Sequence, residues 1–110
     1  MESDESSPVR YRFETPIDVL TALDTQGIEH LEVSDERTIV IYTRSILNLE
    51  VVDGQLDDAG TITVEIFDPS PAANADQMGF IETFLKELAT AADVDWGVVN
   101  ATNRTDYGRR

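Results

Sequence analysis

The side chains best suited to chemistry in this chain are few and scattered. His30 is its single histidine and the natural candidate for a general base. That role needs an orienting partner and a nearby nucleophile or substrate cleft. Glu29 and Glu32 are its acidic neighbours, but adjacent residues of a strand point to opposite faces, so His30 reads as a surface strand residue. Asp57-Asp58 and Asp93-x-Asp95 offer the oxygen ligands a hard cation prefers, without the spacing or the glycine of a calcium loop. Gly54, Gly60, Gly79 and Gly97 build no phosphate-binding loop. Asn100-Ala101-Thr102 and Asn103-Arg104-Thr105 match the glycosylation sequon, which matters only in a secreted protein. With no cysteine, disulfides, zinc–thiolate sites and thiol nucleophiles are excluded. The expectation is therefore no catalytic residue, no metal site and no cofactor: not an enzyme.

Charge carries more information. The chain has 22 acidic and 8 basic residues in 110, a net charge of −14, and only one lysine, Lys86. Hydrophobic residues still make up 41%, enough for a folded core, so the acidity belongs to the surface of a globular domain. Dense carboxylates hold water and counterions, and screening shrinks to about 3 Å at 1 M salt, where such charge is tolerated. The composition predicts a protein of a salt-accumulating halophile, a haloarchaeon or one of its viruses. It also argues against sequence-specific nucleic-acid binding, which needs a basic footprint.

Against that background the arginines stand out. Arg10 and Arg12 precede the expected core, and Arg104, Arg109 and Arg110 follow it, with Tyr107 among them. The planar guanidinium fork suits carboxylates on a neighbouring subunit, which makes these positions candidate partner contacts.

The elements that must hold these residues follow from periodicity. Residues 1–9 read as a flexible segment, 10–103 as one domain and 104–110 as a polar, arginine-bearing tail. Arg10–Phe13 reads as a short strand or an arm. Thr15, Pro16 and Asp18 resemble a helix start with a capping box, Ile17, Leu20 and Leu23 repeat at helical spacing, and Gly27 is a stop. Leu31 and Val33 alternate with His30 and Glu32. Thr38–Thr43 (TIVIYT) predicts a central strand buried on both faces. Leu47, Leu49 and Val51 alternate up to a turn signal at Asp53-Gly54, a polar stretch Gln55–Gly60 follows, and the long loop Asp53–Gly60 would be free to reach a neighbour. Ile62, Val64 and Ile66 form one face of a half-buried strand. A second helix starts between Pro71 and Ala75, with Met78, Ile81, Leu85, Leu88 and Ala92 as its apolar stripe, widened by Phe80 and Phe84. Trp96–Ala101 predicts a last strand. The fold class is α+β: an antiparallel sheet of four to five strands with two helices on one face. No apolar run approaches the ~18 residues of a membrane span. Met1–Ser7 lacks a signal-peptide pattern, so a cytoplasmic site is expected.

The block Thr61–Leu88, TITVEIFDPSPAANADQMGFIETFLKEL, resembles tail terminator and related neck proteins of long-tailed viruses. There an alternating strand ends in an aromatic residue, and a Pro/Ser/Ala stretch leads into a long amphipathic helix. The preceding TPIDVLTALDTQG and the later TNRTDYGRR are compatible, so the resemblance spans roughly residues 15–107. It implies a non-enzymatic virion protein of the head–tail interface. It would act with copies of itself, typically in a hexameric ring, and with neighbouring head and tail proteins. Its location would be the virion, assembled in the host cytoplasm. The alternative is a haloarchaeal cytoplasmic regulatory or adaptor domain acting by protein binding.

Overall fold

In the computed structural model, residues 9–99 are described. The order is β1 (Arg10–Ile17), α1 (Val19–Thr25), β2 (Glu29–Ser34), β3 (Arg37–Tyr42), β4 (Ser45–Gln55), β5 (Asp58–Asp68), α2 (Pro71–Ala75), α3 (Gln77–Ala92) and β6 (Trp96–Val99). The class is α+β, and the six strands pair antiparallel throughout in the order β2-β3-β4-β5-β1-β6. That is one strand more than expected. Arg10–Phe13 is a strand rather than an arm, and it inserts between β5 and β6.

α1 and α3 lie on the same side of the sheet and share one hydrophobic core with it. Tyr11 and Phe13 from β1, Val40 and Tyr42 from β3, Leu47 and Leu49 from β4, and Ile62 and Val64 from β5 point toward Val19, Leu23, Phe84, Leu85 and Leu88. The α3 stripe is placed as its spacing predicts for Ile81, Leu85 and Leu88. Met78, at the first turn, is 48% exposed. Tyr42 stacks at tilted angles on Phe80 and Phe84 and donates its hydroxyl to the Glu87 carboxylate. Gln26 donates to the Glu87 carbonyl at 2.9 Å, which ties the end of α1 to α3.

Several expectations shift. α1 begins later than the capping box suggests: Asp18 itself is the N-cap, its Oδ1 accepting from the Thr21 amide at 3.1 Å. Thr15 and Pro16 belong to β1, where the pairing with β5 is irregular between Arg12 and Ile17. A proline, lacking N–H, fits such a break. Gly27 follows the helix at φ +69°, the left-handed position expected just past a helix end. The second helix divides: Ser70 caps α2, and Asp76, accepting from the Gly79 amide at 3.1 Å, starts α3.

The loop Asp53–Gly60 is no free arm. β4 and β5 pair through Gln55↔Asp58, bending at shifts of register around Val51–Gly54. The tip turns back so that Leu56 is 2% exposed. Its amide donates to the Asp35 carbonyl at 2.8 Å and its carbonyl accepts from the Val19 amide at 2.7 Å. This hairpin therefore closes one end of the core.

Candidate interaction surface

Helices cover one face of the sheet; no described element covers the other. Two-residue alternation places every second residue of each strand on this open face. Cross-strand pairing orders them in rows. One row runs Arg10, Thr63, Glu50, Arg37, and the next Glu65, Asn48, Ile39, Leu31; a third runs Asp68, Ile46, Ile41, Glu29. Arg12 lies beside Thr61, whose amide donates to the Asp53 carboxylate at 2.7 Å. Arg37 Nε donates to Asn48 Oδ1 at 2.6 Å, so the half-buried arginine satisfies the buried amide beneath it.

The face thus has two ends of different chemistry. The first carries Arg10, Arg12, Arg37 and Glu50, around a shallow depression that Arg10, Glu36, Glu50, Val52 and Thr63 line. The second is apolar: Leu31 is 68% and Ile41 43% exposed, with Ile39 and Ile46 half-buried between them. Phe67, 51% exposed, is the extra residue where the β4–β5 register shifts between the pairs Leu47↔Ile66 and Ile46↔Asp68. Val33, also 51% exposed, sits where the β2–β3 register shifts.

This overturns two readings. TIVIYT is not buried on both faces: Thr38, Val40 and Tyr42 face the helices, while Ile41 faces out. On β2 it is His30 and Glu32, opposite Val40 and Thr38, that share the helix side, and Leu31 that is exposed.

The turn closing this apolar end is strained. Tyr42 pairs with Ser45, leaving Thr43 and Arg44 as a two-residue hairpin loop at φ +44° and +71°. Positive φ at both positions is the geometry of a type I′ turn, which favours Asn-Gly and is costly for a β-branched residue. Arg44 is exposed at its tip. The sequence signal for Arg44 is the β-branched run TIVIY and the largely apolar run ILNL, separated by only three residues. Behind the turn, the Ser45 hydroxyl accepts from the Ser70 amide at 2.8 Å and donates to Ser70 Oγ at 3.0 Å, joining β4 to the α2 cap.

Compared with protein-family models, curated proteins and solved structures, the chain matches none.

Of the expected contact residues, Arg10 and Arg12 are exposed on the open face two positions apart. Arg104, Tyr107, Arg109 and Arg110 lie outside the described residues, as do Asn100 and Asn103. His30 is partly buried; its Nδ1 lies 2.9 Å from the Ile28 carbonyl and its Nε2 3.7 Å from Asp24. Asp57 and Asp58 are exposed at the β4–β5 hairpin. Asp93 is the C-cap of α3 in the left-handed conformation, and Asp95 accepts the Glu14 amide at 2.8 Å through its carbonyl. Among the described residues no three His, Asp or Glu side chains gather closely enough to hold a metal ion. No described helix is long and apolar enough to cross a membrane.

Two tyrosines have displaced pKa values. Burial, followed by the Glu82 charge, pushes the Tyr11 phenol up to about 12. Burial, followed by its hydrogen bond to Glu87, raises that of Tyr42 further. Both face the core side of the sheet, so these shifts describe packing and not the open face.

Proposed function

We propose that this chain is a structural subunit that works by protein–protein contact through its open sheet face. In the specific form the Thr61–Leu88 resemblance implies, it is a head–tail joining protein of a tailed virus whose host accumulates salt. One observation carries the contact reading. A protein of net charge −14 leaves Leu31, Ile41, Val33 and Phe67 exposed around one uncovered face, and exposed apolar patches of this kind mark interaction sites. Four of the five basic residues among the described ones, Arg10, Arg12, Arg37 and Arg44, lie on or at the rim of that face. An apolar centre with an arginine-bearing surround is the composition protein interfaces favour.

The viral form is tested by location. Gold-labelled antibody against the chain should decorate the neck of tailed particles grown in molar salt, where head and tail meet. Label restricted to the host cytoplasm would refute it while leaving the contact reading intact.

A further inference from the structure

We infer that the open sheet face packs against the same face of a second copy of this chain, forming a two-sheet sandwich with the helix layers outward. The inference rests on the contact reading above, not on its viral form.

Size comes first. Six strands at ~4.8 Å spacing, each contributing about six residues at ~3.3 Å, give a face of roughly 600 Å². Two such faces bury roughly 1,200 Å², the lower end of what a specific interface needs. The apolar end, with Leu31, Ile39, Ile41 and Ile46, supplies the contact around the axis, and the charged rows extend from it toward the other end.

Charge selects the orientation. On the helix side Asp76, Glu82 and Glu87 accompany only Lys86, so helix layers meeting one another would oppose carboxylates. On the open face Arg10, Arg12 and Arg37 stand among Glu29, Glu50, Glu65 and Asp68. A two-fold contact through this face therefore brings arginines as well as carboxylates together, which the helix side cannot do. The β2 edge of the sheet is a poorer contact. β2 is an edge strand, but Glu29, Glu32, Asp35 and Glu36 along it and its turn would oppose one another across a two-fold.

The test uses the full chain in molar salt. Because the chain has no cysteine, Ile41→Cys introduces a single thiol near the proposed axis. A short bis-maleimide, able to span the roughly 10 Å between packed sheets that a direct disulfide cannot, should cross-link Ile41→Cys to a covalent dimer, whereas a thiol on the helix side, Glu82→Cys, should remain monomeric on denaturing gels. Ile41→Asp should keep the wild-type circular dichroism and raise the dimer dissociation constant about a hundredfold or more, as loss of a central contact does. If Ile41→Asp fails to fold, Leu31→Asp, at the more exposed position, serves the same purpose. Equal cross-linking of both thiols, or an Ile41→Asp or Leu31→Asp variant that associates like wild type, overturns the face-to-face contact. Should that variant still form larger assemblies, the contact lies elsewhere and the subunit reading survives. A wild-type chain that is monomeric throughout overturns this inference, and the reading beneath it falls only if no other protein binds the face.

Discussion

Thr43 and Arg44 are the residues whose conformation costs most for what the core gains. A non-glycine residue held at positive φ costs of order 1–3 kcal/mol. The double substitution Thr43→Asn, Arg44→Gly supplies the pair a type I′ turn prefers. It should raise stability by about 1–3 kcal/mol in a denaturant titration run in molar salt; an unchanged or lowered midpoint would show that the turn is not strained. If Arg44 also contributes to an interface, the same variant should associate more weakly while folding more tightly. At this scale, too, the tyrosines predict a pH window. Folded Tyr11 holds its proton up to about pH 12, against the usual 10 of an exposed phenol. A raised folded pKa gives stability that is fully present below the unfolded value and is lost as pH climbs through the folded one. Stability should therefore decline between pH 10 and about 12, with phenolate absorbance rising in step with unfolding. Normal phenol titration near pH 10 in a still-folded chain that is lost on Tyr11→Phe would contradict the burial of Tyr11.

At the level of elements, periodicity announced more than capping did. The α3 stripe from Ile81 to Leu88, the β5 alternation and a last strand over Trp96–Val99 stand where their spacing puts them, because burial against one core leaves a repeating mark. Phe84 and Leu85 are fully buried, and replacing either with Ala should cost ~2–5 kcal/mol. A thermal melt unaffected by either change would contradict this packing. The start of α1 was misplaced because Thr15-x-x-Asp18 fits a capping box, yet β1 runs on to pair Ile17 with Ala59. Local pattern could not report that long-range pairing. The β4–β5 hairpin reads locally as a free polar loop, although Leu56 and Ala59 within it are both buried in the core. Gly54 makes that hairpin possible: its φ is +97°, and a Cβ there would lie 2.3 Å from the Asp58 carbonyl oxygen. Gly54→Ala should therefore destabilise by more than the ~1 kcal/mol of an average point substitution. Gly27→Ala, with open space around it, should be milder.

For the molecule as a whole, the alternation of β2 and β3 was legible while the side it faces was not. Leu31 and Ile41 alternate as core residues do, and nothing local distinguishes a residue under a helix from one awaiting a partner. The candidate site was correspondingly half-legible. Arg10 and Arg12 were singled out by charge, whereas Leu31, Ile41, Phe67 and Arg44 emerge only once the helices are seen to cover the opposite side. A net charge of −14 also predicts that dilution of salt destabilises the fold by unscreened self-repulsion. The melting temperature should fall steadily from molar salt to tens of millimolar; a flat profile would contradict adaptation to salt. Strongest of all is the bearing on the uncovered face, which one measurement reaches directly. Sedimentation equilibrium of the wild-type chain in molar salt should give twice the 12.2 kDa of one chain, or an even multiple of it. A single 12.2 kDa species at the highest soluble concentration would contradict the face-to-face assembly proposed for it.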